Sequence, residues 1–399
     1  MDNVVFMETR KTKSLEIAKT TQIVERQGGW IVPSQSNKRK TYFVNEEFVC
    51  NCPDSELHKT TCKHAYAVGY FIQEEIKTAQ GTIIQKKPIG YSQLWSAYDK
   101  GQIEKKKRFM ELLNDLLKEV PELPNAIGRP KISNKDMIFA SALKVYTQFS
   151  LRRFMSDLRI AKEKGQVEST PCFASVGHFM QRDELTPILS RLIQLSSLAL
   201  RNVETGFAVD SSGFRTTRFN EYCKSVHDTN QSHQWIKCHI ITGVKTNIIT
   251  GVEVGLEHHS ADSPQFIPLV RATADIGFSI DEVSADKAYS SIDNYNAVQS
   301  LGGTAYIPYK NNANPISHGG NRSKLWRKMF HYYMTNREEF MQHYHKRSNV
   351  ETTFFMIKAK FNDLLKSKSR TAQINEMLLK VLCHNIVVVN NEMLSIKDY

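Results

Sequence analysis

Near its C-terminus the chain reads YHKRSNVETTFFMIK, in which Tyr344, Arg347 and Lys358 stand at −7, −4 and +7 from Glu351. At about 100° per residue these four fall within about 60° of one another on a helix, so a phenol, two cations and an acid share one face. A phosphate backbone together with a metal ion suits that set. Val350, Phe354, Ile357, Phe361 and Leu365 fill the neighbouring sector, which puts the polar stripe at the rim of a buried core. The plain alternative is a solvated stripe on an amphipathic helix. Two acids upstream weigh against it. Asp210 closes the strand-like run GFAVD, and Asp286 closes DEVSAD before KAYSS opens a helix-like segment. Strand positions are rigid, and a two-metal centre for phosphoryl transfer needs carboxylates that hold ions roughly 3.5–4 Å apart. Taken singly, either aspartate reads equally as a turn former or helix cap.

The spacing Tyr-x2-Arg-x3-Glu-x6-Lys, preceded by two strand-end aspartates, resembles the DDE transposases of prokaryotic insertion sequences, in the group with the Tyr-Arg-Glu-Lys signature. The resemblance covers roughly residues 125–390 and implies an RNase H-like catalytic domain in which Asp210, Asp286 and Glu351 coordinate Mg²⁺ or Mn²⁺. It also implies that Arg347 and Lys358 hold the phosphodiester and that Tyr344 positions a phosphate near the cut. GGTAYIPYKNN, with Lys310 after AYIPY, is similar to the stretch that follows the second aspartate in this group, which adds Lys310 to the expected DNA contacts. The interval from Asp286 to Glu351, 65 positions, has no room for the large β-rich insertion that some transposases carry there. The implied activity is strand cleavage at the ends of a mobile element, then attack of the freed 3′-hydroxyl on target DNA. The implied partner is double-stranded DNA, met as a homodimer or larger assembly. Three rival readings stay open: a nuclease of the same fold without strand transfer, a catalytically silent DNA-binding regulator, and a zinc-dependent interaction module on an inert scaffold.

Charge agrees with a polyanionic partner. The 53 Lys+Arg residues outnumber 41 Asp+Glu for a net +12, and the 50 residues around Glu351, Asn321 to Arg370, hold 12 basic and 4 acidic side chains. No apolar run approaches the length of about 18 residues that crosses a bilayer, and MDNVVFMETRKTK lacks the apolar segment of a signal peptide. The expected place is therefore the cytoplasm of a prokaryotic cell, at the nucleoid. Seven cysteines in a reducing compartment argue for metal or free thiols rather than disulfides. Cys172, Cys223, Cys238 and Cys383 are scattered and read as buried small side chains.

The other three lie in FVCNCPDSELHKTTCKHAYAV, where Cys50-x-Cys52 is followed, after nine intervening residues, by Cys62-x-His64. On a strand, Cys50 and Cys52 share a face, while Cys62 and His64 stand at the entry to an amphipathic helix beginning near KHAYAVGYFI. Three thiolates and an imidazole form the closed tetrahedral set of a structural Zn²⁺ site, with His58 as a spare ligand. The pattern resembles the SWIM zinc-binding module, and GGWIVPSQSNKRKTYFVNEE corresponds to its hairpin.

The expected fold class is α/β: an RNase H-like mixed-sheet catalytic domain over 201–399, preceded by a helical domain and a small zinc-binding ββα module. The module spans 1–76. A charged helical linker spans 77–124, and its KKKR at 105–108 reads as a solvated helix end or a DNA contact. Pro121, Pro124, Gly128 and Pro130 mark a boundary. The helical domain over 125–200 has helix starts at Ser150 and Thr186-Pro187, and reads either as a reader of DNA ends through Arg152 and Arg153 or as a packing platform. From Thr205 the pattern turns to strands. GFAVD is followed by a hairpin turning at Lys245–Asn247, then by SIDEVSAD and GGTAYIPY, the element order of an RNase H-like sheet. SKLWRKMFHYYMTNREEF reads as a surface for stacking on DNA or as a helix that buries Trp326, Phe330 and Phe340.

Overall fold

In the computed structural model of the chain, the alternating runs of the sequence form two sheets, one in each of two units, residues 1–93 and 94–399. The structure describes residues 13–79 apart from 15, 19, 27, 36–39, 46 and 59–61, then 99, 102–120, 131–216, 235–255, 262–310, 313 and 324–397.

The first unit holds an antiparallel sheet of β1 (Val24–Arg26), β2 (Gly29–Pro33) and β3 (Thr41–Asn45), then helices α1 (Pro53–His58) and α2 (Lys63–Ala79). Gly29 has φ +156°, and a Cβ there would lie 2.1 Å from the Val44 carbonyl oxygen, so only glycine lets β2 and β3 close. The core is small: Ile17, Ile23, Val32, Val44 and Val68, two alanines, and the thiols of Cys50, Cys52 and Cys62. At about 1.5–3 kcal/mol per buried aliphatic side chain, so few cannot offset the chain entropy of ordering the unit. A metal or disulfides usually make up such a deficit.

In the second unit, helices α3 (Lys105–Leu116), α4 (Asn134–Thr147), α5 (Met155–Glu163), α6 (Phe173–Phe179) and α7 (Leu185–Ser197) precede the strands. The strands β4 (Gly206–Arg215), β5 (Trp235–Gly243), β6 (Ile249–Gly255), β7 (Glu282–Ala285) and β8 (Thr304–Tyr306) line up in the order β6-β5-β4-β7-β8. The first three pair antiparallel, whereas β4–β7 and β7–β8 are parallel. This is the RNase H-like mixed sheet. Parallel neighbours need crossovers, and α8 (Ser263–Asp275) and α9 (Ile292–Ser300) supply them. The helices α10 (Lys324–Thr335), α11 (Arg337–Tyr344), α12 (Ser348–Phe361) and α13 (Arg370–Lys397) complete the unit.

Strand alternation splits β4 between two cores. Phe207 and Val209 pack with Leu269 and Val270 of α8, with Val283 and with Tyr289. Ala208 and Phe214 pack on the other side with Phe354 and Ile357 of α12 and Leu382 of α13. Phe109, Leu113, Phe139, Leu143 and Leu189, from the helices ahead of the sheet, join that same core. Among the described residues α13 holds the one stretch, Arg370–Met393, long and apolar enough to cross a bilayer, and 89% of its most apolar 18 residues are buried inside the protein. Its apolar length serves the core.

Several elements depart from the sequence reading. β4 runs five residues beyond Asp210, so that acid lies mid-strand. Residues 151–154 form a turn and α5 begins only at Met155, which leaves Arg152 and Arg153 ahead of the helix. Trp326 and Phe340 are buried in the core and Phe330 packs against it, which is the packing reading of that segment. Cys172 is exposed, whereas Cys238 and Cys383 are fully buried. Cys223 and the boundary prolines Pro121, Pro124 and Pro130 lie outside the described residues.

Candidate active site

Alternation along β4 sends Asp210 and Ser212 to the face that carries Ala208 and Phe214, under α12. Parallel pairing of β4 with β7 matches Val209 to Ala285, so Asp210 and Asp286 are the next residues on neighbouring strands. Asp286 leaves β7 and turns back on itself, its Oδ1 accepting the Ala288 amide at 3.1 Å. The third acid, Glu351, lies in the first turn of α12.

That helix is clasped to β4 along its length. At its far end the Arg215 amide donates to the Asp363 carbonyl (2.9 Å), the Leu365 amide donates to the Arg215 carbonyl (2.8 Å), and the Arg215 and Asp363 side chains pair at 2.7 Å. Asn362, at φ 65°, makes the reversal. Lys380 of α13 secures the reversal from behind, donating to the carbonyls of Asn362 (2.8 Å) and Leu364 (2.9 Å). Midway, Lys358 Nζ donates to Ser212 Oγ at 2.7 Å and lies 5.1 Å from the Phe214 ring centre. Burial lowers the Lys358 pKa.

Tyr344, Arg347 and Glu351 do not share one unbroken helix. α11 ends at Tyr344, residues 345–347 tighten into a 3-10 turn, and α12 starts at Ser348. The turn still delivers Arg347 to the acids. Its Nη1 donates to Asp210 Oδ2 at 2.7 Å and its Nη2 to Glu351 Oε1, while Tyr344 presents its ring 5.8 Å from the guanidinium carbon. The turn is anchored by Glu282 at the start of β7, which takes His343 Nδ1 at 2.6 Å and Lys346 Nζ. His343 also stacks on Tyr306 of β8, with ring centres 4.2 Å apart.

Burial raises the Asp210 pKa; the Ser211 amide and Arg347 pull it down, and the charges of Asp286 and Glu351 push it up again. Three carboxylates that sense one another, two of them gripping one guanidinium, call for cationic compensation. Their oxygen-only donor set fits a hard divalent cation such as Mg²⁺ or Mn²⁺. They are spread more widely than a closed metal cage: among the described residues, only Cys50, Cys52, Cys62 and His64 have ligand atoms all within 4.8 Å of one another. Lys310 is exposed beyond the end of β8, and no ion pair joins it to the acids among the described residues.

On the opposite face of β4 lies a group that spacing did not reveal. Asp262, just before α8, accepts from Ser211 Oγ at 3.3 Å, pairs with Lys237, and stands 3.8 Å from Nδ1 of the fully buried His239. Tyr289, from the turn that Asp286 caps, reaches within 3.4 Å of that same nitrogen. Burial pushes the His239 pKa down to about 4, so its ring is neutral at physiological pH. The group braces the segments that carry Asp210 and Asp286 from behind. Ser211, beside Asp210, and Tyr289, three residues after Asp286, are its only linear signal.

In the first unit, Cys50 pairs with Val44 through a single bridge just beyond β3, so Cys50-x-Cys52 leaves the strand rather than lying on it. Cys52 and Cys62 stand immediately before α1 and α2, and His64 is the second residue of α2. His64 Nδ1 faces Cys50 Sγ at 3.9 Å and Cys62 Sγ at 3.8 Å, all buried. Tetrahedral Zn²⁺ with bonds of about 2.3 Å to sulfur spaces its ligands by roughly 3.8 Å, so the set fits that ion. A hydrogen bond from Cys50 pulls the Cys62 thiol down toward the thiolate form that binds metal, while the same contact and burial push Cys50 up. The side chain of His58 lies outside the described residues.

No curated protein matches the chain at a significant level. A cryo-EM structure of the piggyBac transposase synaptic complex with hairpin DNA is similar at a TM-score of 0.37 and 12% identity, over 74% of each chain. Residues 201–386, from just before β4 into α13 and including all three acids, match the family described as the transposase DDE domain.

Proposed function

We propose that this protein is a transposase that cuts DNA strands at the ends of a mobile element and joins the freed 3′ ends to target DNA. The observation that carries the proposal is the gathering of Asp210, Asp286 and Glu351 at β4, β7 and α12, within the stretch matched to a transposase DDE domain. In this reading the three carboxylates would hold Mg²⁺ or Mn²⁺, and the bound ion would supply activation of the attacking oxygen and positive charge opposite the phosphate. Each transfer is in line, so the residues chiefly position and neutralise. Arg347 and Lys358 bind phosphate oxygens along the α12 face. Tyr344 packs beside Arg347 and limits where the scissile strand lies. Lys310 contacts DNA farther from the cut. Cys50, Cys52, Cys62 and His64 hold Zn²⁺ in a SWIM-type module. The protein acts on double-stranded DNA in a prokaryotic cell, as an insertion-sequence enzyme that assembles as a homodimer or larger complex.

Asp210→Ala, Asp286→Ala and Glu351→Ala are each expected to abolish cleavage with Mg²⁺ or Mn²⁺ while retaining binding to element-end DNA. Near wild-type cutting by any one of them refutes the triad. A joining assay with pre-cleaved ends separates a transposase from a nuclease, since only the former yields strand-transfer product.

A further inference from the structure

We infer that Arg347 is the built-in counter-ion of the acid site: it competes with the divalent metal for Asp210 and Glu351 and releases them when a DNA phosphate engages it, so DNA binding and metal loading are coupled. The inference rests on the transposase reading and adds a regulation of that site. Both terminal nitrogens of Arg347 are committed, Nη1 to Asp210 Oδ2 at 2.7 Å and Nη2 to Glu351 Oε1. A guanidinium grips phosphate through the same fork geometry, so a bidentate phosphate contact on that edge requires release of the two carboxylates. The oxygens it covers belong to two of the three acids a metal would need.

The surroundings suit an exchange of side chains rather than of backbone. Glu282, through His343 and Lys346, anchors the turn just ahead of Arg347. The Glu351 side chain is 57% exposed and free to change partners, whereas those of Asp210 and Arg347 are only 21% and 19% exposed. Buried Asp210 without a cation would face the like charges of Asp286 and Glu351. Arg347 therefore keeps the acids apart from one another's repulsion when no DNA is held, at the expense of metal affinity. By linkage, whatever DNA does to metal affinity, metal does equally to DNA affinity.

The test is Mn²⁺ binding to the full chain, followed by electron paramagnetic resonance without turnover. In DNA-free protein Arg347→Ala and Arg347→Gln are expected to bind Mn²⁺ about tenfold more tightly than wild type, a coupling of ordinary size. Adding duplex DNA is expected to tighten Mn²⁺ binding in wild type and to have little further effect in either variant. Unchanged or weaker Mn²⁺ binding by both DNA-free variants overturns the inference. Asp210→Asn serves as the control. If it weakens Mn²⁺ binding while the Arg347 variants match wild type, the competition alone is wrong; if it binds Mn²⁺ like wild type, the metal reading of the acids falls and this inference with it.

Discussion

Lys358 and Arg347 lie eleven residues apart in the chain, yet both reach β4, one at Ser212 and the other at Asp210. The two contacts differ in chemistry. Arg347 neutralises carboxylates, whereas Lys358 hydrogen-bonds a hydroxyl and faces an aromatic ring, and among the described residues it forms no ion pair with Asp363, whose charge it feels, so its own charge stays available to an anion. Lys358→Ala is accordingly expected to weaken DNA binding uniformly across sequences and to reduce the slope of log affinity against log salt by about one unit. The check is a salt titration of binding to a fixed duplex; an unchanged slope returns Lys358 to a structural role beside Ser212. At this scale the spacing around Glu351 exposes a polar face, since helical periodicity is a local property. That Arg347 spends itself on Asp210 is a contact across 137 positions, and nothing in the linear pattern specifies it.

Elements hold the site through α13, which threads buried polar groups between the helices and the sheet. Asn385 accepts from the Ile249 amide (3.0 Å) and donates to the Ile249 carbonyl (2.7 Å), pinning the start of β6. At the preceding residue, His384 Nε2 lies 2.9 Å from the carbonyl of Asn247 in the β5–β6 turn, the hydrogen-bond distance expected of a neutral ring donating there. Burial pushes the His384 pKa from 6.5 down to about 4. Between those values the unfolded chain binds a proton that the folded one refuses, so stability falls as pH drops below about 6.5 and the loss is complete near pH 4. A shift of that size is worth on the order of 3 kcal/mol. Urea unfolding of residues 94–399 at pH 7 and pH 4.5 is expected to show the loss, and His384→Gln to reduce it while leaving the part due to His239. An equal loss in the variant rules His384 out. The hairpin that His384 braces is legible in sequence, because Lys245-Thr246-Asn247 offers a turn and Asn247 takes φ 63°. The extent of β4 is not: SSGFR carries little apolar signal, and its strand state comes from pairing with Cys238, Lys237, Ile236 and Trp235. At Ser150 the hydroxyl accepts from the Arg153 amide at 3.4 Å, the bond an N-cap makes, and the Phe154 amide donates to the Ser150 carbonyl, yet residues 151–154 close only a turn before the regular helix begins at Met155.

At the scale of the whole molecule the chain divides into a unit with a large shared core and a unit with almost none. The second unit has two large apolar cores, enough to be expected to fold without a metal. Its acids lie on the central strand, just past the end of the neighbouring strand and on the helix over them, in a unit whose sheet is packed on both faces, so removing a divalent ion is expected to stop chemistry without unfolding it. The first unit is the reverse case. Its three thiols and His64 are buried within its few apolar residues, where unligated polar groups are costly. Among the described residues His64 Nε2 has no hydrogen-bond partner, while Nδ1 faces the thiols of Cys50 and Cys62. With four ligands and no open position, bound Zn²⁺ would supply folding energy rather than catalysis. Purified protein is therefore expected to carry one tightly held Zn²⁺, and residues 94–399 expressed alone to carry none. Cys62→Ala or a strong chelator is expected to unfold the first unit, seen as proteolysis confined to residues before about 93, while the second keeps its own melting transition. If the zinc unit serves to recognise element ends, Cys62→Ala should reduce end-specific binding more than cleavage of non-specific DNA. Equal loss of both activities would show that the unit has no separable targeting role, and metal analysis finding no zinc would remove the basis for treating it as a metal module at all.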